Sequence, residues 1–146
     1  TTGLRFFTVY GPWGRPDMAY YLFTEKILKG KQISVYNNGN MKRDLTYIDD
    51  IIYGIMSAIN KNYRCEVFNL GNNKSEELMD VIEQIEINLN KKAKIDFQPM
   101  QPGDVKQTFA NIDKSISMLG YKPRFNFEEG ISKFTKWFIN YNEKIS

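Results

Sequence analysis

Arg15, Lys42 and Arg43 stand in or beside loops rich in Gly, Pro and Asn. A guanidinium offers phosphate two parallel charge-assisted hydrogen bonds, so these positions suit a small anionic ligand. Read singly, each is also an ordinary solvated surface charge. Three acidic pairs, Asp49-Asp50, Glu76-Glu77 and Glu128-Glu129, have the composition of a carboxylate dyad or a metal site. All three stand at predicted helix starts, where negative charge complements the helix dipole, so capping is the preferred reading. Gly11-Pro12-Trp13-Gly14 begins like a dinucleotide-binding glycine loop. Asp17 replaces its third glycine, and Pro12 removes an N–H that such a loop uses. The chain has no His and one Cys, Cys65. Ser-His-Asp catalysis, His-ligated zinc and an intrachain disulfide are therefore excluded, and no metal site is expected. Cys65, just ahead of Val67-Phe68, reads as a buried or half-buried structural thiol.

These residues need elements to position them. Leu4 to Tyr10 is a β-branched and aromatic run that predicts a buried strand. The Gly11–Asp17 stretch breaks it into a loop. Met18, Tyr21, Leu22, Ile27 and Leu28 have helical spacing, with Gly30 as the stop. Ile33 to Tyr36 alternates as a short strand closed by Asn37-Asn38-Gly39-Asn40. Asp44 to Asp50 leads into an apolar helix over 51–59, capped by Asp49 or Asp50. Glu66 to Leu70 is a strand, and Ser75 is the expected N-cap of a helix reaching Leu89. Ile95 to Phe97 is a strand, residues 98–104 a loop, and Asp113 to Leu119 a helix stopped by Gly120. The last helix starts at Phe127-Glu128-Glu129, with Ile131, Phe134, Trp137, Phe138 and Tyr141 on its apolar face; they read as core rather than a base-stacking platform. Alternating strands and helices define the class as α/β.

The chain of 146 residues is 42% hydrophobic, 25% charged and 14% aromatic. A chain this long buries about 68–70% of its unfolded surface, enough for a real core. No apolar run approaches the roughly 20 residues of a membrane helix. The opening Thr1-Thr2-Gly3-Leu4-Arg5 puts a charge where a leader's hydrophobic region would be, so no signal peptide is expected. The net charge of +3 is spread along the chain, which argues against nucleic acid as a partner. Cysteine scarcity favours the cytoplasm.

Whole segments carry a resemblance. Thr2 to Ala19, reading TGLRFFTVYGPWGRPDMA, closely resembles a segment of bacterial UDP-glucuronate 4-epimerases. These belong to the extended short-chain dehydrogenase/reductase superfamily. Met41 to Asp50 is similar to that family's Arg-Asp-x-x-Tyr-x-Asp-Asp segment. Pro99 to Val105 and Leu119 to Pro123 match its C-terminal region in order and spacing.

The resemblance implies the C-terminal part of an extended short-chain dehydrogenase fold. That part is the last Rossmann elements, at Thr1–Tyr10 and Asp49–Leu70, plus a small α/β substrate-binding domain. It implies that an N-terminal NAD-binding half lies outside this chain. The family's catalytic Tyr-x-x-x-Lys is absent: none of the nine tyrosines has Lys four residues on. No catalytic residue is expected here, and the chain alone is expected to be inactive. By resemblance Phe7 and Val9 pass by the nicotinamide of NAD. Thr8 lies near the sugar carboxylate, Arg15 faces the sugar or phosphates, and Arg43 faces the pyrophosphate. Ser34, Val35 and Tyr36 border the uracil. Gln101 and Asp104 match a loop around the uridine, with Gln101 replacing the usual Arg. The implied reaction interconverts UDP-glucuronate and UDP-galacturonate through a transient 4-keto sugar, in a homodimeric parent enzyme. A decarboxylase or dehydratase of the same architecture, and a non-catalytic nucleotide-sugar-binding module, are the alternatives. A strand at Leu4–Val9 meant for the middle of a parallel sheet would leave an apolar edge open, so the isolated piece is expected to fold poorly.

Overall fold

The computed structural model describes residues 1–145. Among these residues seven strands and five α-helices alternate as an α/β fold: β1 (Thr2–Phe6), β2 (Thr8–Tyr10), α1 (Ala19–Leu28), β3 (Gln32–Tyr36), β4 (Lys42–Tyr47), α2 (Ile48–Lys61), β5 (Glu66–Leu70), β6 (Ser75–Glu77), α3 (Leu78–Leu89), β7 (Lys94–Gln98), α4 (Asp113–Leu119) and α5 (Phe127–Ile145), with a single 3-10 turn at Asn37–Gly39.

The predicted first strand is divided. β1 runs parallel to β5, pairing Thr2 with Glu66 and Phe6 with Leu70. After Phe7 the chain changes partner, and β2 runs parallel to β4 with Thr8 opposite Leu45. Nor is this run deeply buried. Among the described residues β1 pairs with β5 alone, and Phe6 is half exposed. β6 adds antiparallel to β4, setting Glu76 opposite Arg43, while β3 and β7 form a separate parallel pair.

Two cores result. The larger gathers Tyr20, Ile33, Val35, Ile85, Phe134 and Phe138 between α1, α3, α5 and the strands beneath them. The smaller holds Ile51, Phe68, Leu70, Ile112, Leu119 and Tyr121 between β1, β5, α2 and α4. Residues 110–121 supply Ala110, Ile112, Leu119 and Tyr121 to this smaller core.

Several local expectations are corrected. The lead-in at Asp44–Tyr47 is strand β4, and α2 begins at Ile48, before either aspartate. Neither Asp49 nor Asp50 caps it, because both already lie in its first turn. Asp50 instead accepts hydrogen bonds from the N–H groups of Arg124 (2.9 Å) and Phe125 (3.1 Å), fastening the approach to α5. Ser75 caps no helix: it belongs to β6, and its hydroxyl donates to the Thr108 carbonyl at 2.6 Å. Glu76 and Glu77 are also strand residues paired with β4, and Glu77 stands at the N-cap position of α3 without a side-chain capping bond. Glu128 and Glu129 do stand in the first turn of α5. Cys65 is exposed, because the short connection from α2 to β5 holds it outside the strand. Helix α4 and its left-handed Gly120 terminus are as expected.

Candidate functional site

The division of the first strand makes the site. Where β1 hands over to β2, the strand and the loop behind it wall an open groove of about 670 Å³. Phe7, Thr8 and Val9 line it in succession, with Arg15, Tyr20 and Thr108 around them. Its volume lies in the range of small-ligand sites. A turn closed by Gly14 N–H donating to the Gly11 carbonyl (3.1 Å) shapes the loop. Trp13 in that turn takes the left-handed conformation and is 76% exposed, its ring against Trp137 and Tyr141 of α5. Trp137 and Tyr141 are therefore half-buried supports of this loop rather than full core residues.

Arg15 is solvent-exposed and forms an ion pair with Asp17, with Nε donating to Oδ1 at 3.1 Å. The hydrogen bond and charge of Asp17 push Arg15 upward, and the same bond holds the Asp17 carboxyl below its ordinary value. Being exposed, this pair exchanges readily for a ligand anion.

A second cavity of about 120 Å³ adjoins the groove and shares Thr8, Met18 and Tyr20 with it. Alternation along β4 puts Arg43 and Leu45 on one face, with Thr8 and Glu76 as their cross-strand neighbours. All four line this cavity. The Arg43 guanidinium is held from behind: Nη1 donates to the carbonyls of Lys42 (2.9 Å) and Lys106 (3.3 Å), and Nη2 lies 4.0 Å from Asp104. Arg43 and Asp104 therefore meet, and the Asp104 N–H donates to the carbonyl of exposed Gln101 at 3.2 Å. Lys42 leaves this group to pair with Glu77.

Ser34, Val35 and Tyr36 lie on β3 and border neither cavity. Val35 is fully buried in the larger core. Phe7, Thr8, Val9 and Arg15 are thus grouped, Arg43, Asp104 and Gln101 adjoin them, and β3 stands apart.

Three contributors escaped the sequence reading. Asp44 is fully buried and accepts from the N–H groups of Asn72 (2.7 Å) and Ala110 (3.0 Å) and from the Thr46 hydroxyl (3.3 Å). It ties β4 to two loops behind the site. Its only signal was its place beside Arg43 in the motif. Tyr20 falls inside the predicted helix but outside its apolar positions, and Glu76 was read with Glu77 as a helix-start pair; neither carried another local signal.

Burial pushes the Tyr20 hydroxyl up to about 12, eased by the Gly11 backbone, and also raises Tyr10, Tyr47 and Tyr121. These tyrosines remain donors at neutral pH, and none is tuned toward a general base. Among the described residues no helix is long and apolar enough to cross a membrane.

Comparison with known proteins agrees with this architecture. Residues 1–71 match the NAD dependent epimerase/dehydratase family. An uncharacterized protein of Methanocaldococcus jannaschii is 58% identical over 94% of this chain and 42% of its own length. UDP-glucuronate 4-epimerase 4 of Arabidopsis thaliana is 45% identical over 96% of this chain and 36% of its own. The crystal structure of a UDP-glucuronic acid 4-epimerase from Bacillus cereus, in complex with UDP-glucuronic acid and NAD, superposes with a TM-score of 0.89. It is 34% identical, over 94% of this chain and 45% of that one. The chain spans less than half the length of these three relatives and corresponds to roughly the C-terminal half of the solved fold. With its divided strand, its α/β architecture and these matches, the chain resembles the NAD dependent epimerase/dehydratase family, whose model it matches over residues 1–71.

Proposed function

We propose that this chain supplies the UDP-sugar-binding part of an NAD-dependent 4-epimerase interconverting UDP-glucuronate and UDP-galacturonate. The observation that carries this reading is the junction of groove and cavity at Thr8. There an apolar strand, a fixed guanidinium and an exchangeable Arg15–Asp17 pair converge. Phe7 and Val9 present apolar surface on either side of Thr8, which fits a flat nicotinamide ring. NAD, when bound, supplies a reversible hydride acceptor for C4 of the sugar.

The residues of this chain orient and neutralise. Arg43 is pre-organised by two carbonyls and offers its remaining N–H groups to pyrophosphate. Arg15 changes partner from Asp17 to the ligand anion. Thr8 offers a hydroxyl donor to the sugar carboxylate. Holding the sugar still while leaving it room to turn is a positioning task, and a rigid strand with exposed loop cations suits it. The proton-transfer step falls to a residue outside this chain, so the chain alone is inactive. The complete enzyme is a cytoplasmic homodimer in this reading.

Titration calorimetry of the complete enzyme with UDP-glucuronate tests the assignment. Arg43→Ala is expected to weaken binding by about 1.5–3 kcal/mol, the worth of charged hydrogen bonds. Unchanged affinity removes Arg43 from the site. Product analysis of the complete enzyme completes the test: release of CO2 or water from UDP-glucuronate refutes epimerisation in favour of a decarboxylase or dehydratase.

A further inference from the structure

The loop between β2 and α1 carries a residue that its own turn chemistry disfavours. Gly11 to Gly14 is a turn closed by the Gly14 N–H on the Gly11 carbonyl at 3.1 Å, with Pro12 second and Trp13 third. Proline second and a positive φ third is the type II pattern, which calls for Gly or Asn in the third place. Trp13 occupies that place with φ 62°. Among the described residues, the other non-glycine residues with positive φ are all asparagine. A bulky side chain there is a genuine outlier, and such backbone strain persists only where the surroundings over-determine it.

What holds Trp13 is its ring. The indole centroid lies 5.4 Å from that of Trp137 and 5.2 Å from that of Tyr141, and those two rings stack on each other at 5.1 Å. The contact joins the loop to the second half of α5, far away in sequence. Trp13 nevertheless stays largely exposed, so burial alone does not explain it. An exposed tryptophan in a strained place, clasped to a distant helix, fixes a position rather than filling a core.

The position it fixes is that of Arg15. A second turn starts directly after the first, with the Met18 N–H donating to the Arg15 carbonyl at 3.2 Å. Arg15 thus sits at the joint of two hydrogen-bonded turns, next but one to the clasp. The inner side of the loop is packed as closely. A Cβ on Gly11 would meet Ile48 at 2.6 Å, and one on Gly14 would meet the Tyr20 oxygen at 1.9 Å. The Arg15 side chain, by contrast, is exposed and pairs with exposed Asp17. Where its guanidinium can reach along the groove is therefore set by where its backbone is pinned.

We propose that Trp13 is a positioning residue: docked on Trp137 and Tyr141, it holds the Gly11–Asp17 loop so that Arg15 stands at the groove and takes the ligand anion. This rests on the UDP-sugar reading above and assigns a residue which that reading does not use. Trp13 acts through Arg15 and makes no bond to the ligand itself. Holding the loop in place before binding removes part of the ordering cost that a free loop would add.

Calorimetry of the complete enzyme with UDP-glucuronate decides it, for wild type, Arg15→Ala, Trp13→Gly, Trp13→Phe and the Trp13→Gly, Arg15→Ala double variant. Arg15→Ala is expected to weaken binding about tenfold, a charged hydrogen bond's worth. Trp13→Gly relieves the turn but removes the ring, and is expected to weaken binding about threefold to tenfold while melting close to wild type. Added to Arg15→Ala it should cost nothing further, because the two residues act as one unit. Trp13→Phe keeps a ring for Trp137 and Tyr141 and should stay within about twofold of wild type. Unchanged affinity in Trp13→Gly overturns the proposal. So do losses that add in the double variant, a Trp13→Phe protein that binds no tighter than Trp13→Gly, and a Trp13→Gly protein that melts far below wild type. Full affinity in Arg15→Ala, or a wild type that does not bind, overturns the UDP-sugar reading of Arg15 itself, and this proposal with it.

Discussion

Around Phe134, helices α1, α3 and α5 close on the strands beneath them, and α5 turns Lys133, Lys136 and Asn140 to solvent. Around Phe68, α2 and α4 close one side of β1 and β5, but α2 turns Ile52, Met56 and Ile59 outward. Those three fall at i, i+4 and i+7, a continuous apolar stripe rather than scattered exposure. Phe6 and Val67 extend apolar surface onto the neighbouring strands. The larger region is amphipathic in the ordinary sense, while the smaller has a second apolar face. The groove lies where they meet, with Phe7 and Val9 from the smaller region and Tyr10 and Tyr20 from the larger in its wall.

The largest expected effect is in the larger core. Phe134→Ala should cost about 3–5 kcal/mol in urea unfolding, as a fully buried ring packed against Tyr20, Trp137 and Phe138. Phe68→Ala should accelerate hydrogen exchange in β1, β5 and α2 while α1, α3 and α5 stay protected. Uniform acceleration would show one cooperative unit and break the comparison.

Asp44 joins the two regions, since it holds β4 to the loops at Asn72 and Ala110. Asp44→Asn keeps one acceptor and turns an NH2 toward the other donor. It should cost about 1–3 kcal/mol by thermal unfolding, the penalty of one stranded N–H.

Glu86 tests the larger region through pH. Desolvation raises its carboxyl, but Lys92 and the Ala93 N–H (2.7 Å) outweigh this and hold it below its ordinary value near 4.5. Its contribution is therefore full above that value and lost as pH falls through the depressed one. Glu86→Gln should cost about 1 kcal/mol at pH 7 and nothing at the acid end, read as converging urea midpoints. A constant difference across pH would refute it.

Met56→Lys should have the smallest effect on folding, within about 0.5 kcal/mol, as an exposed helical position. A large loss of stability would show that the stripe is packed.

Periodicity made α1, α4, α5 and the short strands β3, β5 and β7 legible, because each buries one face in a pattern set by its own spacing. It failed at Asp44–Tyr47 and Ser75–Glu77, where local signals favour a helix start. There strand pairing, a contact across more than thirty residues, decides the outcome. Motif wording grouped Phe7, Thr8, Val9, Arg15 and Arg43, and the structure sets them around one junction. Tyr20 and Glu76 carried no such signal, since lining a shared cavity is a property of the packed state.

By itself the sequence determined the α/β class, the chemistries closed to a chain without histidine, and the family resemblance. All three depend on residue type and spacing along the chain. Only the tertiary structure decided that one apolar run serves two sheets, which acidic residues are fasteners rather than caps, and which polar groups meet in a cavity. Those depend on distances between segments far apart in sequence, which spacing along the chain does not encode.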